Sequence, residues 1–110
     1  MLLQFFGRQT NLHRLWDVDL IERVYLAQAM LQDQVLATLQ TANWRVWQAG
    51  RSQDWSEETL RVAIEAVYFF PPGRDIGERY MEKALPVIEE QLAKAAVRLA
   101  WVLNRAFMGN

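Results

Sequence analysis

The residues with the greatest capacity for chemistry lie near the N-terminus, where a histidine and an aspartate stand four positions apart. On a helix, His13 and Asp17 share one face, with β-carbons about 5–6 Å apart. Imidazole nitrogen and carboxylate oxygen both bind zinc at about 2.0–2.2 Å, so the pair could supply two ligands of a three-ligand site. The alternative is that the two side chains form a hydrogen bond or ion pair on the helix surface, which is the more frequent role of so short a motif.

Two neighbours of this pair also have alternative interpretations. Arg14 could contact a substrate phosphate through its guanidinium fork, or it could be a solvated residue of the helix surface. Trp16 could stack on a nucleic-acid base, or it could pack the helix against the core, which its apolar neighbours favour. The remaining tryptophans, with Phe69 and Phe70, lie at helical spacing and are interpreted as packing residues.

The segment that holds these residues has a distinctive sequence. Residues 10–17 read Thr-Asn-Leu-His-Arg-Leu-Trp-Asp, which resembles the Asn-Leu-His-x-x-Trp-Asp motif of the S-one/P-one nuclease family. These are zinc-dependent single-strand nucleases of the phospholipase C-like superfamily, and the resemblance continues in order along essentially all 110 residues. The further matching positions are Phe5-Phe6-Gly7, then Trp55, Ala63, Ala66 and Tyr68, then Gly77-x-x-Tyr80, and a closing helix over 91–104 in which Ala96 replaces the usual glycine.

This resemblance implies a mostly helical fold with a trinuclear zinc cluster in a cleft. It also implies hydrolysis of phosphodiester bonds in single-stranded DNA or RNA, often with 3′-nucleotidase activity. His13 and Asp17 match the motif residues that hold the zinc ion standing apart from the closely spaced pair, with Asn11 and Trp16 supporting them. The family's other ligands lie upstream, and His13 is the only histidine here. The chain is therefore expected to carry at most one partial zinc site and no catalytic residue.

On the same resemblance, residues 1–110 are expected to form the C-terminal portion of a single nuclease-like helical domain that is inactive alone. Single-stranded nucleic acid or 3′-nucleotides would be substrates of the complete enzyme, which would need the missing N-terminal half. Family members are typically secreted or periplasmic. The apolar start of this chain is followed at once by Gly7-Arg8, so we expect no signal peptide within it.

Composition sets outer bounds on the function. The length suits one domain or a piece of one. With 12 Lys and Arg against 13 Asp and Glu, the net charge of -1 provides no global attraction for a polyanion, so nucleic-acid binding would need a local site. The absence of cysteine excludes disulfides and thiolate metal sites. No apolar run approaches the roughly 20 residues of a membrane span.

The elements that must position the pair follow from apolar spacing. Residues 2–6 are the only β-like run, and we expect one strand with no partner in this chain. From Asn11 onward the spacing predicts helix, and the helix with the first apolar stripe should extend to about Gln40. A short helix at residues 44–47 should be closed by Gly50. Asp54 and Glu57 have the spacing of a capping box for the next helix. The apolar stripes of the two longer helices are Leu20, Val24, Ala27, Leu31 and Val35, and Leu60, Ala63, Ile64 and Val67, with a stop at Pro71-Pro72-Gly73.

The C-terminal region predicts a short helix followed by a long one. Asp75 is expected to cap a helix that reaches about Leu85, and Pro86 to open the next. The predicted core face of the last helix is Ile88, Leu92, Ala95, Ala96, Leu99, Val102, Leu103 and Ala106, with Glu89, Glu90, Lys94, Arg98 and Arg105 largely opposite. The fold class predicted is all-α, an antiparallel helical bundle-like packing with a short N-terminal strand remnant.

A function of a different class fits the same pattern. A piece of a larger domain exposes apolar surface that would otherwise be buried. The chain could then be a non-catalytic helical module that self-associates or pairs with another chain.

Overall fold

A small sheet begins the fold. The computed structural model describes residues 2–25, 28–68 and 72–108. In it β1 (Leu2–Phe5) pairs antiparallel with β2 (Arg8–Asn11) and parallel with β3 (Asp75–Ile76), in the order β2-β1-β3. The expectation of an unpartnered strand is therefore wrong. Buried backbone N–H and C=O groups need partners, and two polar or very short segments provide them.

The rest of the described chain is mostly helical, which confirms the predicted class. Its elements are α1 (Leu12–Arg14), a first π-helical turn (Leu15–Asp19), α2 (Leu20–Val24), α3 (Gln28–Thr41), α4 (Trp44–Gln48), α5 (Ser52–Val62), a second π-helical turn (Ala63–Val67), a 3₁₀ turn (Pro72–Arg74) and α6 (Glu78–Phe107). Helix α6 contacts α2, α3, α4 and the second π-helical turn. Among the described residues, no helix is long and apolar enough to cross a membrane.

The core lies where the sheet meets the N-terminal half of α6. Leu3, Leu15, Leu20 and Ile76 are fully buried there. Phe5, Tyr80, Ala84 and Ile88 complete the cluster, and Leu12, Trp16, Ile21 and Met81 pack against it. The sheet, the motif segment and α6 thus share one core, which fixes the motif segment in place.

Helix α6 is a single element of 30 residues, so the predicted boundary between Leu85 and Pro86 is wrong. Pro86 lies inside the helix, where it lacks the N–H that would bond to the carbonyl one turn earlier. Ala84 and Ile88 on either side are both buried in the core. Their burial holds the helix together across the proline. Asp75, expected to cap a helix here, instead belongs to β3.

The start of α5 also differs from the prediction. Asp54 is not the N-cap residue but the third residue of the helix, and its carboxylate accepts the backbone N–H of Arg51 at 2.8 Å. The long helix expected to reach Gln40 is divided, because Tyr25 is extended after α2. Ala27, Phe69, Phe70 and Pro71 lie outside the described residues.

The predicted core face of α6 is largely wrong beyond Ile88. Leu92, Leu99, Val102 and Leu103 are exposed, while Ala93 and Lys94 are buried. On α5 and the second π-helical turn, Leu60 and Ile64 are likewise exposed. The radius of gyration is 15.8 Å, against about 13 Å for a compact domain of this length. The extended shape leaves apolar helix faces without a covering element among the described residues.

Two cations expected to face solvent, Lys94 (buried) and Arg98 (partly buried), instead belong to an ion cluster that joins three helices. Lys94 Nζ lies 2.6 Å from Glu58 Oε1 and 3.0 Å from Glu90 Oε1. Arg98 also pairs with Glu58, and its Nε donates to the carbonyl of Trp47 at 3.0 Å. We call Glu58, Glu90, Lys94 and Arg98 the ion cluster. It connects α5 and α6, and its bond to Trp47 extends to α4.

Candidate metal centre

The structure brings His13 and Asp17 together on the protein surface. His13 Nε2 lies 2.9 Å from Asp17 Oδ2, and the two side chains are 88% and 59% exposed. The predicted four-residue spacing therefore produces a contact between an imidazole nitrogen and a carboxylate oxygen. Both atoms are accessible to a metal ion or to a substrate from solvent.

Asn11 starts the helical segment that carries the pair. Its backbone is extended, and its side-chain oxygen accepts the N–H of Arg14 at 2.8 Å. This is the geometry of a helix N-cap, which satisfies one of the free N–H groups of the first turn. Asn11, predicted to support the ligands, thus fixes the start of their helix and lies directly after Thr10 at the end of β2.

The first π-helical turn explains how the segment meets the core. Leu15 and Leu20 are five residues apart, yet both are fully buried. In an α-helix, residues five apart point about 140° away from each other, since each step turns about 100°. In a π-helix, the i to i+5 hydrogen bond stacks such residues, and Leu20 N–H donates to the carbonyl of Leu15. The turn anchors the segment through both leucines.

Trp16 connects the segment to α6. Its indole N–H donates to Tyr80 Oη at 2.9 Å, and Tyr80 Oη donates to the carbonyl of Val67 at 2.6 Å. The two rings also meet edge to face, with centroids 6.2 Å apart. Burial raises the pKa of Tyr80, and the bond from Trp16 opposes part of that rise. The phenol therefore remains protonated, and it joins the motif, α6 and the second π-helical turn.

Arg14 is engaged with a residue that the sequence did not single out. Its Nε lies 3.3 Å from Asp19 Oδ1, and the other oxygen of Asp19 accepts the hydroxyl of Thr10 at 2.5 Å. Thr10 and Asp19 come from a strand and a helix nine residues apart, so no short-range spacing rule points to them. Tyr80 is visible in the sequence as a family position, but nothing there shows that Trp16 is its partner.

The donor set fits part of a zinc site. Nitrogen and oxygen ligands of tetrahedral zinc stand about 3.4 Å apart for bonds of about 2.0–2.2 Å. The observed distance of 2.9 Å is shorter than this, and a small rotation of the two exposed side chains would lengthen it to that value. Within the described part of the chain, however, no group of three His, Cys, Asp or Glu residues could hold a metal ion. The pair His13 and Asp17 therefore offers two donor atoms, one fewer than a catalytic zinc takes from protein.

Comparison with known proteins agrees with the motif. The S1/P1 nuclease family profile matches residues 1–108. Two Arabidopsis thaliana proteins are similar along nearly the whole chain. Endonuclease 4 is 29% identical over 96% of this chain and 40% of its own length. Endonuclease 3 is 28% identical over 96% of this chain and 41% of its own length.

These alignments show that the chain spans about 40% of the length of the curated relatives it matches. The family match covers 108 of the 110 residues, including the helical segment that carries His13 and Asp17. The chain belongs to the S1/P1 nuclease family.

Proposed function

We propose that this chain is part of a zinc-dependent nuclease that hydrolyses phosphodiester bonds of single-stranded DNA and RNA, or 3′-nucleotides, with His13 and Asp17 as two ligands of one zinc ion. The observation that supports this most directly is the 2.9 Å contact between His13 Nε2 and Asp17 Oδ2 inside the family motif. Members of the family are zinc-dependent, and both donor types suit zinc.

In this proposal the chain's own residues hold the zinc ion and orient the helix that carries its two ligands. Bound zinc supplies Lewis acidity and a low-pKa water for phosphodiester hydrolysis. His13 and Asp17 present their donors to solvent from the first turns of a helix whose start is fixed by Asn11. Trp16 fixes the rotation of that helix through Tyr80. No residue of this chain is assigned as catalytic, and we place the remaining ligands and catalytic residues outside it.

Zinc binding and cleavage, measured on the same preparation, test this proposal. After equilibration with zinc, elemental analysis should find close to one zinc per chain. A fluorescent single-stranded oligonucleotide should remain intact, because two protein ligands leave the site one short of a catalytic zinc. A chain that takes up no zinc contradicts the assignment of His13 and Asp17. Cleavage by the zinc-loaded chain contradicts the placement of the catalytic residues elsewhere.

The exposed apolar face of α6 supports a second proposal, a helical module that associates with a second copy of itself. Leu99 is 60% exposed and Phe107 is 86% exposed. Leu92 and Leu103, seven residues before Leu99 and four after it, lie on the same face of α6 and are also exposed. Contiguous apolar surface of this kind marks an interaction site.

Light scattering after size exclusion tests self-association across a wide range of chain concentration. We expect the mass to rise from 12.9 kDa toward twice that value as concentration increases. Leu99→Glu with Leu103→Glu should keep the chain monomeric, because both side chains are exposed and a charge opposes their burial. A wild-type chain that stays monomeric throughout contradicts the proposal.

A further inference from the structure

A groove lies between the β1–β2 hairpin and the helical segment that carries His13. Its volume is about 250 Å³, and it is lined by Phe6, Arg8, Thr10, Arg14, Asp19 and Arg23 among others. We call it the arginine groove. A single water molecule needs only about 10–15 Å³ of cavity volume measured in the same way. The groove therefore has room for a phosphate group and part of a sugar.

The charges of the arginine groove are unequal. Its lining has three guanidinium groups and two carboxylates, those of Asp19 and Glu22. Asp19 is already occupied by Arg14 and Thr10, and its side chain is only 14% exposed. Among the described residues, neither Arg8 nor Arg23 has an ion-pair partner. The groove therefore has net positive charge on a chain whose overall charge is -1.

The hairpin turn holds one of these cations in a fixed position. Phe6 and Gly7 have φ angles of 48° and 82°, the pair of positive values that a type I′ hairpin turn requires. Asparagine or glycine is usual at the first position, and an aromatic residue there is strained by roughly 1–2 kcal/mol. In this conformation the ring of Phe6 lies 3.6 Å from Arg23 Cζ. The strained residue thus supports the guanidinium of Arg23.

A guanidinium stacked on a ring keeps its N–H groups in its own plane, at the edge of the stack. Those N–H groups match the oxygens of a phosphodiester, which favours two parallel hydrogen bonds. Arg8 follows the turn directly and supplies a second cation to the same groove. Arg14, next to His13 in sequence, lines the groove, so the groove and the metal pair share one helical segment.

We propose that the arginine groove binds a phosphodiester of single-stranded nucleic acid, separate from the phosphate at the metal pair. Arg8 and Arg23 contact the phosphate, and the Thr10–Asp19–Arg14 network forms the wall behind them. The inference rests on the proposed function, since it takes the substrate of that function as the ligand. It assigns the groove to holding the strand while the metal pair holds the scissile group.

Fluorescence anisotropy of a labelled ten-nucleotide oligothymidylate tests this in low salt with EDTA. The chelator removes any contribution of zinc at His13 and Asp17. We expect the wild-type chain to bind. Arg8→Gln with Arg23→Gln should weaken binding at least tenfold. The slope of log K against log salt should become shallower by about 0.7 for each phosphate that the variant no longer neutralises.

The matched control is Arg61→Gln with Arg79→Gln, which removes the same charge from two exposed arginines outside the groove. It should change the affinity less than twofold. Absence of wild-type binding, or equal weakening by both double variants, overturns the proposal. Inorganic phosphate and thymidine 3′-monophosphate are titrated as competitors. Competition by free phosphate at the oligonucleotide's own affinity also overturns it, because the site would then bind an isolated anion.

This experiment separates the two proposals. Oligonucleotide binding in EDTA that depends on Arg8 and Arg23 stands even if the zinc measurement fails. Conversely, zinc uptake that depends on His13 stands even if the oligonucleotide does not bind. Circular dichroism of every variant confirms that the fold is retained.

Discussion

His13→Ala is expected to abolish zinc binding by this chain. In the proposed site His13 and Asp17 are the two ligands, so the variant leaves one carboxylate, which should hold zinc no better than other surface carboxylates do. Loss of a supporting residue alone costs about 10–100-fold in metal affinity, so loss of a ligand should exceed about 100-fold. Isothermal titration calorimetry with zinc measures the difference directly.

Two further variants make that result specific. Asp17→Asn should also lose most of the affinity, because an amide oxygen is a neutral and weaker ligand. Asp33→Asn on α3 is the matched control, since it removes an exposed carboxylate away from the pair. Equal zinc affinity in wild type and His13→Ala would show that the metal binds elsewhere. A loss of affinity in Asp33→Asn as large as in Asp17→Asn would point to non-specific binding.

Glu58→Ala is expected to destabilise the fold by about 2–3 kcal/mol. Breaking a buried ion pair costs about 3–5 kcal/mol because the remaining charge stays buried. The Glu58 side chain is 29% exposed and partly screened by solvent, so the expected cost lies at or below the low end of that range. Lys94 and Arg98, exposed by only 10% and 13%, lose a shared partner at once. For a chain of this size the melting temperature should fall by about 10–20 °C.

Thermal and urea denaturation measure this loss against Glu57→Ala, the neighbouring exposed carboxylate of the same helix. Glu57 contacts Gln53 at 3.3 Å on the surface, so its loss should cost less than about 0.5 kcal/mol. Similar destabilisation by both variants would mean that the ion cluster contributes no more than a surface charge.

The pH dependence of the same difference follows from the pKa shifts. Burial raises the pKa of Glu58, but the hydrogen bonds of Lys94 and Arg98 lower it by more, so it lies below 4.5 in the fold. A lowered carboxyl pKa stabilises the fold fully above the unfolded value, and this stabilisation is lost as pH falls through the folded value. Burial lowers the pKa of Lys94, but its bonds to Glu58 and Glu90 raise it above 10.5. The gap between wild type and Glu58→Ala should therefore narrow below about pH 4.5 and above about pH 10.5.

The ion cluster is an interaction that could not be predicted from the sequence alone. A helical wheel places Lys94 and Arg98 on the polar side of α6, as charges usually are. Their partner Glu58 lies 36 and 40 residues earlier, on another helix. Only the tertiary structure, in which these side chains meet across α5 and α6, reveals that pairing. The leucines expected inside are consequently the exposed ones.

The pairing of β1 with two other strands could not be predicted from the sequence for a similar reason. Arg8-Gln9-Thr10-Asn11 lacks apolar alternation, and only Thr10 of the four is buried. Strand β3 has two residues and joins β1 from across the sequence. In contrast, the helical class follows from local apolar periodicity, and the His13–Asp17 contact follows from a four-residue spacing. Local patterns are predictable, whereas pairings set by tertiary packing are not.

The first π-helical turn changes the rotational register of the helical segment that contains it. Because this turn contains one additional residue, the side chains that follow it point in a different direction, relative to those before it, than they would in an uninterrupted α-helix. His13 can therefore face solvent while Leu20 stays in register with the core, two requirements that one uniform helix would force into conflict. Deleting Val18, which follows both His13 and Asp17, would disturb the core and leave the four-residue spacing of that pair unchanged.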